Sequence, residues 1–251
     1  MNNGTLLSIS ILLLFAMLWF PLGQTDFLVE HWMKIGTYAI PFMFLGIFSF
    51  LKEEKGATLI RNLRFLSVVM LVAYILHQFE EHWIDIYGNE YAFYIFNNNF
   101  LLSNLGADDS NLRPLTKESI FVINTSLVWL VGLIALLRSP QRLFPFFAMA
   151  GIILVNGLVH IMAGVATWSY NPGILSSIIL FIPLYLWVVQ CAKDNDNYAR
   201  RLLILGLIWA ILAHVIMVGG LLMANWFHYI PEYVYWIALV IWSIVPLLSK
   251  K

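Results

Sequence analysis

The sequence predicts an all-α, polytopic transmembrane helix bundle of about eight helices. Three observations lead there. Hydrophobic residues make up 61% of the chain and charged ones only 11%, with a mean hydropathy of +0.81, whereas soluble domains carry about a quarter charged residues. The apolar residues fall into eight runs, most of them near the roughly 20 residues that a bilayer crossing requires. The basic residues also cluster in a register that fits eight crossings.

The first run, 5–22, lacks the basic leader and small-residue cleavage site of a secretory signal, so it reads as a membrane helix. The second, 36–51, is short and carries Pro41, with Lys34 and Lys52 placed to snorkel from its ends. The third spans 63–83 and ends in the string His77-Gln78-Phe79-Glu80-Glu81-His82. Residues 84–117 follow as an extracytoplasmic loop. Its aromatic stretch Tyr91-Ala92-Phe93-Tyr94-Ile95-Phe96 suits a short interfacial helix, and the loop is too short to build a core of its own. Runs at 118–138, 144–168, 172–191, 200–223 and 232–249 complete the set. Asn171-Pro172-Gly173 marks a tight turn between the fifth and sixth, and Gly219-Gly220 allows close packing or a kink in the seventh. The whole of 1–251 reads as a single membrane domain.

With both termini cytoplasmic, eleven of the fourteen basic residues lie inside: Lys52, Lys55, Arg61, Arg64, Arg138, Arg142, Lys193, Arg200, Arg201, Lys250 and Lys251. Only Lys34, Arg113 and Lys117 fall on the other side. Zero net charge offers no basic surface to nucleic acid. A lone cysteine, Cys191, excludes an internal disulfide.

Ionisable groups within a membrane run cost several kcal/mol or so and mark functional sites by default. This topology assigns each a depth. His77 lies thirteen residues beyond Arg64, His214 thirteen beyond Arg201, Asn156 fourteen beyond Arg142 and Asn124 fourteen before Arg138. At about 1.5 Å per residue these four share a level roughly 20 Å from the inner end, with Glu81 and His160 about one turn further out. His77 and Glu81 share a helix face, as do Asn156 and His160. The third, fifth and seventh runs are therefore expected to be neighbours around one polar cavity in the outer half of the membrane.

The residue types point to a metal. His77, His160 and His214 offer neutral nitrogen, and Glu80 or Glu81 offers oxygen. That set suits zinc or non-haem iron better than calcium or magnesium. Three protein ligands plus water would make a hydrolytic site, with the other glutamate as base. Glu81 on the metal leaves Glu80 as catalytic base, and the reverse assignment stays open. Asn156 and Asn124 can orient a ligand or water. His82, about 100° from Glu81 on an ideal helix, reads as an outer partner or an interfacial residue. No Gly-x-Ser-x-Gly elbow or phosphate-binding glycine loop is present.

The string His77-Gln78-Phe79-Glu80-Glu81, with Asn156-Gly157-Leu158-Val159-His160 and Tyr170-Asn171-Pro172-Gly173 downstream, resembles the HXXEE-domain family of small bacterial membrane proteins. The resemblance covers about residues 63–192, leaving His214 and the first two runs outside. It implies a metal-dependent activity in a bacterial cytoplasmic membrane rather than a named reaction. The expected function is a metal-dependent membrane hydrolase acting on a membrane lipid or small apolar substrate. A proton-coupled or cation transporter using the same cluster, a lipid oxidoreductase and a non-enzymatic accessory protein are the alternatives.

Overall fold

A computed structural model describes residues 25–51, 62–105, 114–139, 142–193 and 196–248, and no β-strand occurs among them. Eight helices are described: α1 (Asp26–Leu51), α2 (Leu63–Trp83), α3 (Ala92–Leu105), α4 (Lys117–Arg138), α5 (Phe144–Thr167), α6 (Ile174–Cys191), α7 (Ala199–Trp226) and α8 (Glu232–Leu248). Five of them, α2 and α4 to α7, are long and apolar enough to cross a membrane, so the chain is an integral membrane protein. The predicted run 5–22 lies outside the described residues.

Helix α1 starts ten residues before the predicted 36, and its cause is polar residues in buried company. Asp26, Glu30 and Lys34 dilute the hydropathy of the first turns, yet Val29, Trp32 and Met33 between them are buried. Gly36 has no Cβ because the Trp129 ring occupies that space, 2.7 Å from where one would stand. The loop after α2 does contain a helix. Asn98 of α3 brackets the Leu115 backbone, donating to its carbonyl and accepting from its N–H at 3.0 Å each, which ties α3 to the entry of α4.

Local signals set the helix starts. Asn62 caps α2 by accepting from the N–H groups of Arg64 and Phe65 at 2.9 and 3.2 Å, and Thr116 caps α4 through the Ser119 N–H at 3.0 Å. Helix α5 begins with Pro145 in its first turn, where a missing N–H costs nothing. It packs against both α2 and α7, and so stands between them. The contact with α7 is backbone on backbone. A Cβ at Gly151 would stand 2.6 Å from the Gly206 carbonyl oxygen, so only glycine permits this approach.

Four of the described helices contain a π turn: Phe79–Trp83 in α2, Asn124–Leu130 in α4, Ser177–Phe181 in α6 and Leu222–Trp226 in α7. Such turns admit one extra residue and shift the faces that follow. The turn in α2 is closed by Ile84 N–H donating to the Phe79 carbonyl at 3.1 Å, five residues back.

Candidate metal centre

Because the last turn of α2 is a π turn, Glu80, Glu81 and His82 are all buried, where an ideal helix would have swung His82 away. Glu81 is the hub. One carboxylate oxygen lies 3.0 Å from His160 Nε2, and the other lies 3.4 Å from His77 Nε2 and 3.3 Å from His82 Nε2. The His77 and His160 rings stand edge to face with centroids 4.8 Å apart. His77, Glu81 and His160 each present one ligand atom, all within 4.8 Å of one another.

The outer nitrogens of these two imidazoles are held by one short segment, the turn into α6. Asn171 donates through its amide nitrogen to the His160 carbonyl at 2.9 Å, so its amide oxygen is the atom 2.8 Å from His160 Nδ1. That oxygen can only accept. Nδ1 therefore carries the proton, and Nε2, when the ring is neutral, is a bare lone pair aimed at Glu81. His77 follows the same logic. The one hydroxyl hydrogen of Ser176 goes to Glu80 or to the Gly173 carbonyl, both acceptors, so Ser176 Oγ must accept from His77 Nδ1 at 2.8 Å. His77 Nε2 is buried with no hydrogen-bond partner. Between Asn171 and Ser176 sits Gly173, with φ +97°. A Cβ there would come within 2.7 Å of the His77 ring and 2.8 Å of the His160 ring, so the backbone itself is the wall behind both imidazoles.

Two imidazole lone pairs and a carboxylate thus converge where three acceptors would repel one another. A cation between them, a metal ion or a proton, would resolve the conflict. Glu81 offers a different oxygen to each ring, at 3.0 and 3.4 Å, and one atom from each of the three residues lies within 4.8 Å of the others, a spacing that could hold one metal ion.

Residues 68–188 match the model of a family described as "Protein of unknown function with HXXEE motif". The match takes in 121 of the 251 residues, including the whole His77–Glu81 string, His160 and the turn into α6, so this region carries the HXXEE pattern. No curated protein and no solved structure matches the chain.

The two glutamates of the motif face different surroundings. Glu80 turns to the start of α6, where one oxygen accepts from Tyr170 OH and Leu175 N–H at 3.2 Å each and the other from Ser176 N–H at 2.9 Å and from the Ser176 hydroxyl. Burial, together with this carboxylate, raises the Tyr170 hydroxyl above its usual pKa. Glu81 instead borders a cavity of about 110 Å³, which is also lined by His82, Asn124, Asn156, His160 and His214 among apolar side chains such as Phe93, Leu127 and Ile152. Neither His77 nor Glu80 lines it. The geometric expectation of a single cavity holding His77, Glu81, Asn156, His160 and His214 is corrected at His77, which meets Glu81 and His160 away from the cavity wall because Ser176 draws its ring toward α6.

His214 lines the cavity but stands outside the group of three; its Nδ1 lies 2.8 Å from the Ala210 carbonyl, which leaves Nε2 as the accepting nitrogen. Asn156 donates to the Tyr74 hydroxyl. Asn124 belongs to a directed chain. The indole of Trp129 can only donate, here to Gln78 Oε1 at 2.9 Å; Gln78 then donates to Asn124 Oδ1 at 2.9 Å, and Asn124 Nδ2 reaches His82 Nε2 at 3.3 Å. Asn171, Gly173 and Ser176 were absent from the sequence-derived candidates. The Asn-Pro-Gly string signalled a turn, but small polar residues in a turn carry no spacing that reveals a ligand behind them.

Proposed function

We propose that the protein is a metal-dependent hydrolase of a bacterial cytoplasmic membrane, holding one zinc or iron ion through His77, Glu81 and His160 and acting on a lipid or other apolar substrate. One observation carries this reading. Both imidazoles have their N–H groups turned outward onto Ser176 and Asn171, so that their lone pairs and the Glu81 carboxylate face one buried site, with one atom of each within 4.8 Å of the others. Outer partners of this kind fix the tautomer and orientation of metal-binding histidines. The ion would supply Lewis-acid chemistry and water activation.

The chain's own residues supply the rest. Three ligands leave a coordination position open for catalysis, and the cavity beside Glu81 provides room for a small reacting group. Glu80, engaged by four donors away from that cavity, positions His77 through Ser176 instead of serving as the base. His214 offers an accepting nitrogen on the cavity wall and takes the proton of the attacking water. The amides of Asn124 and Asn156 orient the substrate's polar group. Phe93, 5.4 Å from the His160 ring and 5.6 Å from that of His82, covers both from α3 and keeps bulk water out.

Elemental analysis of the purified protein tests the reading. About one equivalent of zinc or iron is expected, falling below about a tenth in His77→Ala, Glu81→Gln and His160→Ala. A wild-type protein that holds no transition metal even after reconstitution would end it. Protons would then be the cations that these acceptors share, as in a proton-coupled carrier.

A further inference from the structure

The cavity of about 110 Å³ beside Glu81 is smaller than one of 150 Å³ or so that accommodates a benzene ring. A whole lipid does not fit. A substrate drawn from the bilayer would therefore insert only its reacting group. Of all the residues lining this cavity, only Val159 and Val218 are exposed, at 45% and 46%. Each also belongs to the outward apolar stripe of its helix: Val159 with Met162 on α5, Val218 with Ile211 and Val215 on α7. A residue that is at once cavity wall and outward-facing surface marks where the wall is one side chain thick.

Helix packing explains why the thin wall lies there. Helices α5 and α7 touch backbone to backbone at Gly151 and Gly206. Two to three turns further along both chains come Val159 and Val218, with branched side chains and the cavity between them. Glycine permits backbone contact at the first level, and at the second the two valines border the cavity.

We propose that the thin wall between Val159 and Val218 is a lateral portal through which an amphiphile inserts an uncharged polar head, such as an ester, amide or alcohol, while its apolar tail stays in the membrane. The proposal deepens the hydrolase reading and rests on taking this cavity as the reaction chamber. The uncharged head follows from the lining. It contains no Lys or Arg, and its one carboxylate, Glu81, opposes an anion. A phosphate entering such a low-dielectric site would carry a large desolvation cost, which a divalent ion already half neutralised by Glu81 would offset only in part.

The test uses the full-length protein in lipid nanodiscs with a long-chain alcohol bearing a diazirine beside its hydroxyl. Photolabelling followed by peptide mapping should place adducts on the cavity side of α5 and α7, around Val159, His214 and Val218. The pair Val159→Trp and Val218→Trp should lower that labelling by about tenfold or more, equivalent to roughly 1.4 kcal/mol of access. The pair Val159→Ala and Val218→Ala should raise it, which keeps the test decisive if the tryptophan variant does not fold. The phosphate ester of the same probe should label the cavity at least about tenfold less. Adducts confined to Met162, Val165 and Val215, or cavity labelling unchanged in the alanine pair, would overturn the portal; equal labelling by the phosphate ester would overturn the uncharged head. Labelling needs neither metal nor turnover, so a metal-free protein that still labels this way would retain the portal and lose only the hydrolase reading.

Discussion

Glu81 and Glu232 illustrate two ways to keep a carboxylate within a helix bundle. Glu232, at the start of α8, is met by donors: Thr116 Oγ1 at 2.8 Å, Ser119 Oγ at 2.6 Å and Asn225 Nδ2 at 3.0 Å all give hydrogens to one oxygen. That arrangement is complete, and it staples α8 to the entry of α4 and the end of α7. Glu81 is met by imidazoles whose neutral forms have only lone pairs to offer it, because Ser176 and Asn171 hold the hydrogens on the far side of each ring. The first is a joint and the second is a vessel. Glu81 is buried and Glu232 half-buried, but the sharper difference between them is the direction in which the neighbouring N–H and O–H groups point. Glu80, next in sequence to Glu81, falls in the first class with its four donors.

The contrast breaks most visibly if the two acids are exchanged for amides. Glu81→Gln should abolish metal retention, whereas Glu232→Gln should leave it intact, both read by metal content after gel filtration. Equal loss in the two variants would erase the distinction. Next in size, Ser176→Ala and Asn171→Ala should each weaken metal binding by about 10- to 100-fold, measured by chelator competition, while Ser176→Thr, which keeps the hydroxyl, should recover most of the affinity. Glu232→Gln, which keeps an accepting oxygen for the same donors and loses only the charge, should cost about 1–1.5 kcal/mol of stability, measured by denaturant unfolding in detergent. Smallest of all, Glu30→Gln removes the exposed pair of Glu30 with Lys117 at 3.4 Å and should change the same unfolding curve by only about 0–1 kcal/mol. Removing metal with a membrane-permeable chelator should lower the wild-type unfolding temperature and leave that of Glu81→Gln unmoved, since a ligand stabilises only the state that binds it.

The sequence announced the helices more fully than the site. Runs at 63–83, 118–138 and 144–168 end within a residue or so of α2, α4 and α5 because apolar length is what a bilayer selects. Helix α1 was half hidden, since Glu30 and Lys34 read as loop chemistry until their neighbours Trp32 and Met33 are seen to be buried. The pairing of His77 with Glu81, and the approach of His160, could be read from spacing and depth. His82 could not. A period of 3.6 residues turns it away from Glu81, and the π turn that brings it back depends on tertiary packing around Phe79–Trp83, which a local pattern does not encode. Nor could the roles of Glu80 and Glu81 be told apart from their order, because the difference lies ninety or so residues away in Tyr170 and Ser176.

The turn at Asn171–Ser176 also imposes an order of assembly. His77 and Glu81 are synthesised and enter the membrane with α2, and His160 follows with α5, but neither imidazole has its outer partner until residues 171–176 have been made. A nascent chain that has emerged only as far as Thr167 carries every side chain of the proposed ligand set and lacks the means of aiming either ring. Glycine at 173 then lets the arriving backbone close against both rings at once. The centre is thus finished from behind, by a segment that contributes no ligand to it, and maturation of the site is tied to insertion of α6 rather than to the appearance of its own residues.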